Sequence, residues 1–198
     1  MTFKHNEQER VWFTSDLHFG HDQEFVWKAR GFTCVEEMNE TLIENFREVV
    51  GENDHLYILG DLCLGSLEEA RYWLSQLPGK ITVIVGNHDT DNRIELYEEL
   101  GFKVQYGGRL AYRGFRFFLS HYPTVTTTES KHFSLATFNL FGHTHQKEKL
   151  GLHSVYSYNV GVDANDCYPV EIEEIIECLR CQMVSIKKEE YNLTNSKN

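Results

Sequence analysis

The chain has 198 residues, 41% of them hydrophobic and 25% charged, with three prolines and a formal net charge of −11. These values suit a single globular domain with a full core and exclude disordered and fibrous classes. The acidic balance repels nucleic acid at long range and argues against a basic-groove binder, and no apolar run approaches the roughly 18 residues of a membrane span.

Met1 to Arg10 contains no continuous apolar segment of the signal-peptide kind, so the expected location is the cytoplasm. Val11 to Ser15 reads as a short buried strand. From Val35 to Val50, Met38, Leu42, Phe46 and Val49 recur at helical spacing, with Glu36, Glu37, Glu40 and Glu44 on other faces, which predicts an amphipathic helix. His55 to Leu59 is a second strand ending at Gly60-Asp61, followed by a helix near Leu67 to Leu77 that Pro78-Gly79 stops. Ile81 to Val85 is a third strand, ending at Gly86-Asn87-His88-Asp89. The second half changes character: Arg109 to Tyr112 and Phe115 to Ser120 form a hairpin across Arg113-Gly114. Strands at Phe138 to Phe141 and near Val155 to Val160 follow, then a helix from about Glu171 to Met183. Strand-helix alternation followed by a strand-rich half predicts an α/β fold of two stacked sheets between helices, one domain over residues 1–186 with a polar, frayed tail over 187–198.

Five cysteines, an odd number, fit reduced thiols, and the Cys178/Cys181 pair on the last helix carries no assigned chemistry. Lys131, His132 and His153 read as surface or loop residues.

Each strand end carries groups that bind metals: Asp16 and His18, then Asp61, Asn87 and His88, His121, and finally His143 and His145. Ligands gather at the carboxyl ends of strands in open α/β sheets, so these loops should converge on one rim. Asp16/His18 and His143/His145 are i, i+2 pairs, which project to one side in extended backbone. Any one histidine at a strand end is more often a hydrogen-bonded core or surface residue, but the repeated placement is not read that way. The donors outnumber the needs of one four-coordinate ion and suit two ions sharing a carboxylate. Nitrogen and oxygen donors without thiolate favour manganese first, with iron, zinc, cobalt or nickel as alternatives. Two such ions roughly 3.5–4 Å apart clamp an in-line displacement at phosphorus, which makes phosphoester hydrolysis the expected reaction.

The blocks Asp16-x-His18, Gly60-Asp61, Gly86-Asn87-His88-Asp89, Ser120-His121 and Gly142-His143-Thr144-His145 resemble, in order, the signatures of the calcineurin-like metallophosphoesterases. The blocks around Thr14 to His21, Met38-Asn39-Glu40, Ser120 to Pro123 and Asn159 to Asp163 are similar to those of its small single-domain bacterial and phage members. The resemblance implies a four-layer α/β/β/α sandwich. It implies Asp16, His18 and His145 on one metal, Asn87, His121 and His143 on the other, and Asp61 between them. It further implies attack by a metal-bridging hydroxide, with His88 protonating the leaving oxygen as general acid. His21, Arg30 and Asn39 recur in the small-member blocks as candidate substrate contacts, against local readings in which they brace their own loop, an acid or the backbone. One departure stands out: Leu64 occupies the place of the second acid in the Gly-Asp-x-x-Asp block of many relatives. The usual partner of the acid histidine is therefore missing, and Asp89 is the candidate substitute, against a reading as a cap or solvated side chain. An arginine common beyond that acid is also absent, which argues against close kinship with the large protein phosphatases.

The expected substrate is a small or nucleotide-like phosphoester, monoester or diester. The alternatives are a metal-dependent nuclease, disfavoured by charge, and a noncatalytic protein-binding scaffold, disfavoured because every ligand and His88 is retained.

Overall fold

A computed structural model describes residues 2–3, 9–127, 135–150 and 153–195. Lys131 and His132 lie outside them. The first sheet has the order β10-β2-β3-β4-β5, with β2 Val11–Thr14, β3 His55–Ile58, β4 Lys80–Ile84 and β5 Lys103–Gln105 parallel and β10 Val170–Glu171 antiparallel to β2. The second has the order β1-β6-β7-β8-β9, from β1 Thr2–Phe3, β6 Gly108–Tyr112, β7 Phe115–Leu119, β8 Phe138–Phe141 and β9 Ser157–Asn159. Strands β6 and β7 form the expected hairpin, pairing Tyr112 with Phe115, while β7, β8 and β9 run parallel. The helices are α1 Glu24–Trp27, α2 Val35–Val49, α3 Leu67–Leu74, α4 Asp91–Glu99 and α5 Ile172–Asn195. Helix α5 continues beyond Lys187, through most of the segment the sequence reads as a frayed tail.

Strand alternation divides the core in two. Trp12, Leu56, Ile58 and Val83 face Met38, Leu42 and Phe46 of α2 and Leu74 of α3. Phe13, Tyr57 and Ile84 face the other way, sharing a cluster with Leu110, Phe117, Phe138 and Tyr158 of the second sheet. Ile172, Ile175, Ile176, Leu179 and Met183 of α5 complete that cluster at helical spacing. Two mixed sheets flanked by helices are therefore what the pattern of apolar residues builds, and no described helix is long and apolar enough to cross a membrane.

Helix starts follow their caps. Ser66 accepts from the Glu69 amide and Glu69 reciprocates, a capping box that fixes the entry to α3. The sheets also meet at their carboxyl ends, where Ser15 beyond β2 bridges Gly161 beyond β9. Those ends carry the loops that build the site.

Candidate metal centre

Seven side chains predicted to ligate come from loops after β2, β3, β4, β7 and β8, and the fold brings them together. Asp16, His18 and His145 offer one ligand atom each within 4.8 Å of one another, and so do Asp61, His121 and His143. Asn87 joins the second group, its Oδ1 lying 2.9 Å from His121 Nε2. The Asp61 carboxylate stands between them, Oδ2 being 3.4 Å from His121 Nε2 and 3.9 Å from His18 Nε2.

The loops reach this arrangement through left-handed turns, which corrects the extended-backbone reason for the i, i+2 pairs. Asp16, His18, Asp61, His143 and His145 all have positive φ, from 51° to 69°. A side chain in that region costs on the order of 1–3 kcal/mol, and such residues concentrate where function over-determines the backbone. The glycines beside them permit the crowding. A Cβ on Gly142 would collide with Ser15 Oγ and the Asp16 carboxylate, and one on Gly60 would lie 2.6 Å from the Gly86 Cα. Gly60 also has φ of 92°, so its identity is doubly required.

Asp16, Asp61, His121 and His145 each have one atom tied to the protein and another left for the centre. Asp16 Oδ2 accepts from the His143 amide at 2.8 Å, whereas its buried Oδ1 has no hydrogen-bond partner among the described residues. Asp61 Oδ1 accepts from the His88 amide at 2.9 Å, leaving Oδ2 facing both triads. His121 Nδ1 donates to the Leu59 carbonyl at 2.7 Å and His145 Nδ1 to Asp163 at 2.9 Å, which directs the Nε2 lone pair of each ring inward. Ring nitrogens then face each other, His18 Nε2 and His145 Nε2 at 3.2 Å, and His121 Nε2 and His143 Nδ1 at 3.2 Å. Converging lone pairs and an unpartnered carboxylate oxygen repel one another without a cation and fit two divalent ions.

The electrostatics agree. Burial drives the His18 imidazole down to about 2, with the neighbouring His145 adding to it, so the ring is neutral. Burial pushes the Asp16 carboxyl above its ordinary range, against the pull of His145, since that carboxylate lacks a sufficient positive neighbour. Burial opposes ionisation of Asp61 as well, but the His121 hydrogen bond and charge overcome it and hold the carboxyl at about 2.

His88 belongs to neither triad. Its half-exposed ring lies 5.6 Å from that of His18, with Nε2 4.0 Å from Asp61 Oδ2, at the open edge of the centre. Asp89 makes no hydrogen bond to it, and this corrects the expectation that Asp89 orients the acid. Its buried carboxylate instead accepts from the amides of Asp61 at 3.0 Å, Leu62 at 3.2 Å and Gly86 at 2.8 Å, and from the Tyr97 hydroxyl at 2.8 Å. Asp89 thus ties the loop after β4 to the loop after β3. Removing the hydroxyl in Tyr97→Phe should cost about 1–3 kcal/mol by leaving that buried oxygen with only the longest of its bonds. Urea denaturation measures it, and a loss below about 0.5 kcal/mol would contradict the role.

Arg30 and Asn39 also brace rather than face the centre, in line with their local readings. The Arg30 guanidinium, 1% exposed, forks onto Asp163 at 3.0 Å through both Nε and Nη2 and donates to the carbonyls of Asp16 and Leu17. Buried Asn39 accepts from the Gly20 amide at 3.4 Å. His21 does face the site, its ring centroid 5.5 Å from that of His18.

Asp163 is the residue that sequence reasoning left without a role, although it closes the block Asn159 to Asp163. Arg30 and His145 hold its carboxyl well below the usual range despite burial. Losing an outer partner of a metal-ligating histidine typically costs roughly 10–100-fold in metal affinity, and Asp163→Ala should lose that much. Competition with a fluorescent chelator would show it, and unchanged affinity would contradict it.

The calcineurin-like phosphoesterase family model matches residues 9–166, and the chain belongs to that family. It is 31% identical over 176 residues to the protein MJ1445 of Methanocaldococcus jannaschii, covering 86% of this chain and 91% of that one. It is 42% identical over 83 residues to the gene 66 protein of Mycobacterium phage L5, covering 40% of this chain and 39% of the phage protein. Its fold is similar to that of the Aquifex aeolicus protein AQ665, with a TM-score of 0.67 and 23% identity, over 86% of this chain and 99% of that one.

Proposed function

We propose that the chain is a dinuclear metal-dependent phosphoesterase that hydrolyses a phosphomonoester or phosphodiester in a small or nucleotide-like substrate. The observation that carries this reading is the Asp61 carboxylate standing between two ligand triads, with His88 unengaged at their open edge. Divalent ions held there would make water acidic enough to act as a nucleophile near neutral pH and offset charge growing on the phosphoryl oxygens. Asp16, His18 and His145 would hold one ion, Asn87, His121 and His143 the other, and Asp61 both.

The chain's own residues do the rest. Asp163 and the Leu59 carbonyl keep His145 and His121 in the tautomer that presents Nε2. His88 carries a proton at the rim and delivers it to the leaving oxygen, a role that requires reach rather than metal contact. The net charge of −11 favours a small phosphoester over a polynucleotide, whose successive phosphates require many cations to neutralise.

The test is hydrolysis of bis-p-nitrophenyl phosphate by protein stripped of metal and reloaded with Mn²⁺, beside Asp61→Ala and His88→Ala. Turnover in the wild type that Asp61→Ala abolishes and His88→Ala reduces supports the reading. Equal turnover in all three, or none in the wild type with Mn, Fe, Zn, Co or Ni, contradicts it and favours a noncatalytic scaffold.

A further inference from the structure

Helix α1 is four residues long and divided by burial: Val26 and Trp27 turn into the core, while Phe25 is 73% exposed. A single exposed aromatic is ordinary on a protein surface, but this one has a particular place. Its ring meets His21 edge-on at 5.7 Å, and His21 in turn lies 5.5 Å from His18. Two ring-to-ring steps therefore lead outward from the first triad to Phe25, a span on the scale of that from a nucleotide's phosphate to its base. His88, the proposed proton donor, also neighbours His18, so the path to Phe25 leaves from the same ring that His88 flanks. Among the described residues the other exposed aromatic at the rim is Tyr122, which packs on His143 at 4.5 Å and on His121, beside the second triad.

We propose that Phe25 is a specificity-determining residue that stacks a flat aromatic group, of nucleobase size, carried by the leaving-group side of the phosphoester. This rests on the phosphoesterase reading and narrows its substrate class. The physical basis is that a ring at the rim, 73% exposed, offers stacking to any base while charge at the triads fixes the phosphate. An alkyl or bare sugar phosphate gains only the second of these.

Adenosine 5′-phosphorothioate and ribose 5-phosphorothioate share the same phosphorylated alcohol and differ in the base alone, and both resist hydrolysis. Their affinities for Mn²⁺-loaded protein can be compared by calorimetry in wild type, Phe25→Ala, Phe25→Trp and Tyr122→Ala. The wild type should bind the adenosine compound roughly tenfold more tightly, as expected for one stacked base. Phe25→Ala should erase that ratio without weakening the ribose compound, and Phe25→Trp should preserve it. Equal wild-type affinities, a preference that survives Phe25→Ala, or one lost in Tyr122→Ala alone would overturn the assignment while leaving the phosphoesterase reading intact. Failure of both compounds to bind would overturn the assignment, and the phosphoesterase reading would then stand or fall on hydrolysis of bis-p-nitrophenyl phosphate.

Discussion

Asp61→Asn is expected to abolish phosphoester hydrolysis and to lower bound Mn²⁺ from two ions per chain to one or none. The reason is the division of labour within its carboxylate. Oδ1 accepts from the His88 amide at 2.9 Å, a bond an amide oxygen can keep. Oδ2 lies between His121 and His18, where a charged oxygen would be shared by two ions held there, and an amide nitrogen in its place offers no lone pair. The loss should exceed the roughly 100-fold that removal of an outer partner costs, because the charge holding both cations disappears. The same variant should keep the far-UV circular dichroism of metal-free wild type, since the shape and backbone bond are conserved. Retained turnover with two bound ions would show that Asp61 does not bridge.

His88→Asn is expected to behave differently. Metal content should remain at two ions, because no ring atom of His88 belongs to either triad. For an ester with a poor leaving group, such as an alkyl monoester, kcat should fall by roughly 10²–10⁴-fold, the range for losing a positioned general acid. For p-nitrophenolate, which leaves without needing a proton, the deficit should shrink. A uniform loss across leaving groups would indicate that His88 positions substrate instead of protonating it.

How far sequence reveals such a molecule depends on the range over which each signal acts. The strands His55 to Leu59 and Phe138 to Phe141, the Arg113-Gly114 hairpin and helix α2 are legible because their burial is periodic or continuous along a short stretch. Helix α4 carries only Leu96 and Tyr97 into the core, and β1, β5 and β10 are two or three residues long, so none leaves a readable period. The ligands were legible because chemistry demands particular side chains at strand ends. Their convergence on one rim was legible too, but not the left-handed loops that achieve it, since φ is invisible in a string of Asp and His. The function of Asp89 depends on Leu62 and Asp61, 27 and 28 positions away, and those of Arg30 and Asp163 depend on each other across 133 positions. Tertiary pairing of that kind decides whether a carboxylate orients a catalytic histidine or braces a loop.

Metal analysis of the wild-type chain, loaded with Mn²⁺ and freed of excess ion by gel filtration, tests the dinuclear centre most directly. Two ions per chain are predicted, with the stoichiometry falling to about one in His145→Ala and in His143→Ala, each of which opens a different triad. A protein that retains no stoichiometric metal under any loading, or holds a single ion that both variants leave in place, would contradict it.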